Sequence, residues 1–153
     1  MLKCLLAATV ALVIAAPATA SATALTRNES SLLRQMNVVR AQHGLHPLSF
    51  DPRLERAARS HSHEMLATGV FTHGAFGTRM ARFDVTGSLA GENLAWGTGY
   101  LGSARGVVAA WLASPGHRAN LLRPGFRRVG IGALAGTFYG QHDARVVTAD
   151  FAG

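Results

Sequence analysis

Two histidines and one carboxylate stand out in a chain otherwise rich in Ala, Leu, Val, Gly and Arg. They are His73 in Phe71-Thr72-His73, Glu92 in Gly91-Glu92-Asn93-Leu94-Ala95, and His117 in Ser114-Pro115-Gly116-His117-Arg118. Brought to one point, they would form a two-histidine, one-carboxylate set suited to zinc or another divalent metal, with a position left open. The two imidazoles, His73 and His117, are the first-choice metal ligands. The same groups could do acid–base work, with Glu92 as the candidate general base. The three are too far apart for a local metal motif, so only the fold can gather them. Each also has a plainer reading. Glu92 could be a solvated charge among turn-forming neighbours, and His117 could be part of a helix cap.

The third of these stretches has the clearest local physics. Ser114 suits an N-cap and Pro115 loses nothing at the first helical position, which puts His117 at the third. An imidazole there feels the positive end of the helix, so its pKa should fall and leave it neutral near pH 7. Other histidines read differently. His61 shares a helix face with Leu54, Ala57, Ala58 and Met65, which suggests a hydrogen-bonded, half-buried residue, while His63 should point to solvent. His63-Glu64-Met65-Leu66-Ala67 begins like a zinc-protease helix but has Ala where the second histidine is required.

The elements that must position these residues follow from periodicity and turn chemistry. Leu32, Leu33, Met36 and Val39 recur at helical spacing between Asn28 and Gln42, with Asn28, Ser30 or Ser31 as caps and Gly44 as a stop. Asp51 and Pro52 start a second helix that runs to about Thr68 and is ended by Gly69. Residues 74–91 suit a short helix within a long loop. Leu101 to Ala113 reads as a further helix with Val107, Val108, Trp111 and Leu112 on its core side. Val129 to Leu134 and Arg145 to Phe151 read as strands, with Thr137-Phe138-Tyr139 as a candidate third. Helices first and strands last predict an α+β domain.

Residues 1–20 combine Lys3, an apolar run from Leu5 to Ala16 and an Ala18-Thr19-Ala20 cleavage pattern, which reads as a secretory signal peptide. The run is too short to span a bilayer, and Ala22-Thr23-Ala24 offers a second cut. A short linker over 21–29 and one domain over 30–153 would follow. The single cysteine, Cys4, would leave with the signal, so burial rather than a disulfide must stabilise the mature chain. Secreted or periplasmic residence is expected, with no transmembrane segment after cleavage and a monomer as the default. The formal charge is +7 and Lys3 is the only lysine. The arginines are scattered without interleaved aromatics, which argues against nucleic acid and is compatible with an anionic envelope polymer or lipid headgroup.

The combination of Asn37, Arg40, His43-Gly44-Leu45, His61, Phe71-Thr72-His73, Gly91-Glu92-Asn93-Leu94-Ala95, Trp111, Ser114 to Leu122, Phe126 and Val129-Gly130-Ile131-Gly132 resembles the CAP superfamily. This group comprises the cysteine-rich secretory, antigen 5 and pathogenesis-related proteins, and the resemblance here is to its bacterial SCP-like extracellular type. The resemblance implies a three-layer α-β-α sandwich with a mainly antiparallel sheet between helices. It assigns Asn37 and Arg40 to the scaffold and puts His73, Glu92 and His117 in a cavity tetrad whose fourth place, usually an acid, holds Ser114. It also implies a binding module whose cavity takes a divalent metal, a lipid or an envelope ligand. A metal-dependent hydrolase using the same residues, and a structural or defensive envelope protein with a vestigial cavity, are the alternatives.

Overall fold

The computed structural model describes residues 24–153; the expected signal peptide and Cys4 lie outside them. The elements run α1 (Arg27–Gln42), β1 (Ser49–Phe50), α2 (Pro52–Thr68), α3 (Phe76–Arg82), β2 (Ala90–Gly97), α4 (Ala104–Ala113), α5 (Pro115–Leu121), β3 (Arg128–Phe138) and β4 (Gln141–Ala152). The sheet order is β1-β3-β4-β2, with β1 parallel to β3 and the other pairings antiparallel. β2 therefore forms one edge.

Side-chain alternation divides the sheet between two helical layers. Val129, Ile131 and Ala133 of β3 pair in register with Phe151, Ala149 and Val147 of β4. These six pack with Leu32, Met36 and Val39 of α1 and with Val107, Val108 and Trp111 of α4. The opposite face receives α2. There Gly130 and Gly132 let the helix lie directly on the strand, since an added Cβ would collide with the backbone of Leu54 or come within 2.5 Å of Ala58 O. α3 joins the same layer through Met80 and Phe76, which pack beside Leu54, Ala57 and Ala152. The result is the expected three-layer sandwich.

α2 matches its local signals: Asp51 Oδ1 accepts from Arg53 N–H at 2.8 Å, Pro52 opens the helix and Gly69 closes it. α1 begins at Arg27, inside the expected linker, because Thr26 and Glu29 form a capping box in preference to Asn28, Ser30 or Ser31. α4 starts at Ala104, three residues inside the expected helix, where the Ser103 hydroxyl accepts from Gly106 N–H. Thr137 and Phe138 extend β3 instead of forming a separate strand. Tyr139 (φ 46°) and Gly140 (φ 74°) make the tight turn into β4.

The scaffold roles of Asn37 and Arg40 are visible as hydrogen bonds. Asn37 exchanges two with the backbone of Leu48, at 3.0 and 2.8 Å. Arg40 is fully buried and donates to the carbonyls of His46 (2.9 Å), Leu121 (2.8 Å) and Phe126 (3.1 Å). It thereby ties α1 to the end of α5 and the approach to β3.

Because α2 rests on bare strand backbone, Gly132→Ala should destabilise the fold by about 3 kcal/mol or stop it forming. Gly77→Ala on α3, where a Cβ meets nothing within 4 Å, should be neutral or stabilise by up to about 1 kcal/mol. Urea denaturation of both variants checks the contrast.

Candidate functional site

Glu92 lies on a strand, not in the solvated turn that its glycine and asparagine neighbours suggest. Pairing along all of β2 with β4 overrides that local preference. The register sets Glu92 directly opposite Asp150, so two carboxyl side chains emerge side by side on the α2 face. Both are buried, Glu92 at 7% and Asp150 at 0% exposure. Among the described residues a single guanidinium reaches them. Arg79 of α3 inserts its guanidinium beside Glu92 Oε2, with the same nitrogen 3.7 Å from Asp150 Oδ1, beyond hydrogen-bond range. Arg79 also donates to the carbonyl of His73 at 3.3 Å, which fixes the loop that carries that histidine.

The second oxygen of Glu92 stands 2.7 Å from His73 Nδ1. A carboxylate there holds the imidazole proton on Nδ1 and leaves the Nε2 lone pair facing outward. The histidine side chain is 60% exposed while that of Glu92 is 3% exposed, so the acid orients and the imidazole presents. His61 supports the same loop from below: it is 1% exposed and its Nε2 is 2.8 Å from the carbonyl of Thr72. It is a buried, hydrogen-bonded histidine as read from its helix face, and His63 is exposed.

α5 is attached to β2 through amides. Asn93 Nδ2 donates to the carbonyl of His117 (2.9 Å), and Asn120 Nδ2 donates to Glu92 O (3.0 Å) and Asn93 Oδ1 (3.1 Å). His117 stands at the third position of α5, as expected from Ser114-Pro115. Its pKa is lowered, first by burial and then by the charge of His73. The direction matches the expectation from the helix end, but the leading cause is enclosure. The two imidazoles thus face one region. Along β2 runs a groove of about 310 Å³, lined by Phe71, Leu94, Ala95, Trp96, Ala110 and Trp111 with Ser114 and His117. Ser114 makes no side-chain cap bond, so its hydroxyl is left to the groove.

Among the described residues, no three of His, Cys, Asp and Glu come together in a way that could hold a metal ion. Glu92 is not free to be a third ligand, because its oxygens are taken by His73 and Arg79. Arg79, Asp150 and Asn120 are the site residues not identified from sequence. Asp150 had a signal, an acid within the apolar run Val146 to Phe151; Arg79 and Asn120 had none that local chemistry could separate from surface residues.

One guanidinium between two buried carboxyls leaves the cluster holding a proton near neutrality. Burial raises Glu92 from 4.5 to about 7 against the pull of Arg79. Asp150 is raised well above its ordinary value, by burial first and then by the neighbouring charge of Glu92. Between pH 4.5 and about 7 the folded state therefore holds a proton at Glu92 that the unfolded chain has lost, and stability falls as pH rises. Across that window the wild type should lose about 3 kcal/mol relative to Glu92→Gln. Urea denaturation of both proteins along a pH series measures this, and a flat difference would contradict a buried, protonated pair.

The family model of the CAP, cysteine-rich secretory protein family matches residues 33–151. Over 130 residues the chain is 35% identical to the uncharacterized protein YkwD of Bacillus subtilis, covering 76% of this chain and 49% of that protein. It is 33% identical over 112 residues to the uncharacterized membrane protein YlbC of the same organism, covering 70% of this chain and 32% of that protein. The chain thus spans about half or less of the length of these curated relatives. A crystal structure of an extracellular protein containing an SCP domain from Bacillus anthracis superposes with a TM-score of 0.69 at 30% identity, over 82% of this chain and 40% of that one. An outer surface protein of Borrelia burgdorferi gives 0.67 at 26% identity, over 82% and 93%. With its sandwich fold, its histidine-bearing groove and a family match over most of its length, the chain belongs to the CAP, or cysteine-rich secretory protein, family.

Proposed function

We propose that this protein is an exported binding module whose ligand lies in the groove along β2 and is engaged at one end by His73 and His117. The observation that carries the reading is an apolar groove with the His117 imidazole in its wall, an imidazole on which the charge of His73 bears. Apolar walls with a few fixed polar groups are the usual make-up of a ligand site. An exported chain would meet envelope components or lipids there. No helix among the described residues is long and apolar enough to cross a membrane.

The donor chemistry also suits a divalent ion of the zinc class. His73 offers Nε2 with its other nitrogen bonded to a carboxylate, an arrangement common behind metal-bound imidazoles, and His117 is biased toward the neutral form that ligation requires. Such an ion would supply Lewis acidity and leave positions for the ligand's own polar group. Two protein ligands without a third make a modest site, one that a bound ligand would complete.

A second reading, a metal-dependent hydrolase, is favoured by the His73–Glu92 pair itself. An imidazole backed by a carboxylate is a general base with its orienting group. In that reading His73 takes the proton and enclosed Glu92 acts through it.

Calorimetric titration with zinc chloride near pH 7.5 should show saturable binding that largely disappears near pH 5.5, as protons compete for the imidazoles. His73→Ala and His117→Ala should each weaken it by about tenfold or more. Zinc binding unchanged in both variants would remove the histidines from the site. Turnover of a peptide or ester that is lost in both variants would move the assignment to the hydrolase.

A further inference from the structure

We propose that the groove accepts an extended peptide that adds to the outer edge of β2 as a further strand; this rests on the reading of the groove as the ligand site. The direction of the backbone groups carries it. Ser49 N–H donates to Arg127 O at 2.8 Å and Asp51 N–H to Val129 O at 3.0 Å, so the odd-numbered residues of β3 face β1 and Gly130 and Gly132 face β4. Followed through the register, Thr148 and Asp150 face back toward β3, Val147 and Ala149 face β2, and Asn93 and Ala95 face β4. Glu92, Leu94 and Trp96 then turn their N–H and C=O groups out of the sheet.

Two of those outward carbonyls are already engaged. Asn120 Nδ2 donates to Glu92 O and Trp111 Nε1 donates to Leu94 O at 2.9 Å. The N–H groups of Leu94 and Trp96 and the carbonyl of Trp96 have no hydrogen-bond partner among the described residues. Leu94 and Trp96 both line the groove. Two positions along one edge repeat at about 6.8 Å, the repeat of an extended chain. A peptide offers acceptors and a donor at that repeat, whereas an acyl chain or sterol ring offers none and would leave these groups without partners.

The walls fit a strand as well. Successive side chains of an added strand point to opposite sides. On the α2 side they would meet Phe71 and Trp96, which pack together with Leu94 and Phe138. On the other side they would meet Ala95 and Ala110. Charge narrows the choice further. The groove has no acidic lining residue, Glu92 is paired with Arg79, and the chain carries a formal +7. The occupant is therefore a peptide with apolar side chains and neutral or acidic flanks.

Amide-resolved NMR on the purified protein tests this with three probes: a pool of end-capped hexapeptides of the pattern Glu-Thr-X-Thr-X-Glu (X being Ala, Val, Leu, Ile or Phe), the same pool N-methylated at alternate backbone nitrogens, and decanoate. In the free protein the amides of Leu94 and Trp96 should exchange about 100-fold faster than those of Asn93 and Ala95. The peptide pool should shift them downfield and slow their exchange about tenfold, and the N-methylated pool should not. Ala110→Phe, an exposed position on α4, should weaken peptide binding about tenfold while leaving the spectrum of the core unchanged. The inference is overturned if both amides are already protected, if the N-methylated pool binds equally well, or if the chain pairs with a second copy through this edge. Decanoate perturbing groove residues while the peptides do not would retain the groove and remove the peptide. No response to any probe would remove both.

Discussion

The site depends on one arrangement: two carboxyl groups, Glu92 and Asp150, emerging from adjacent strands into a buried space that the guanidinium of Arg79 shares. Removing charge from water is costly, and a lone Arg79 does not compensate two acids. The cluster accommodates itself by keeping a proton and by sharing the remaining charge with His73. What looks like an excess of buried acid is thus what gives the exposed imidazole a fixed direction.

Around that cluster the scaffold acts as a set of rigid supports. Bare glycine backbone on β3 lets α2 lie against the sheet, which sets the depth at which α3 and Arg79 approach. Asn93 and Asn120 hold α5 against the outer edge of β2, which brings His117 to the same region as His73. Trp111 engages the carbonyl of Leu94 on that edge, and both residues line the groove. Arg40 anchors the far end of α5. The ties made by Asn93, Asn120, Trp111 and Arg40 are side-chain bonds to backbone, so the site's geometry is tied to the fold and not to mobile surface pairs.

Local chemistry was enough to read α2, whose Asp51-Pro52 start and Gly69 stop act within a few residues, and to place His117 and bury His61. The sandwich was legible through the resemblance, and the hairpin strands through their alternation. The strand character of Glu92 was not legible, because Gly91-Glu92-Asn93 has turn composition and only pairing with β4 makes it extended. Ser114 suited a cap by type, yet its hydroxyl makes no such bond. Arg79 is one of many scattered arginines until the sheet supplies the two acids it meets. The set of two histidines and a carboxylate was a sum of residue types; in the structure the carboxylate bonds one of those histidines, His73, at 2.7 Å.

Glu92 sets the proton position of His73 and so leaves its Nε2 as the free nitrogen. The tautomer of His73, read from nitrogen-15 long-range correlation spectra above neutrality, reports on that link without an intermediate step. A proton on Nδ1 is predicted in the wild type, with loss of that preference in Glu92→Gln. A wild-type His73 with its proton on Nε2, or a tautomer unchanged by the substitution, would contradict it.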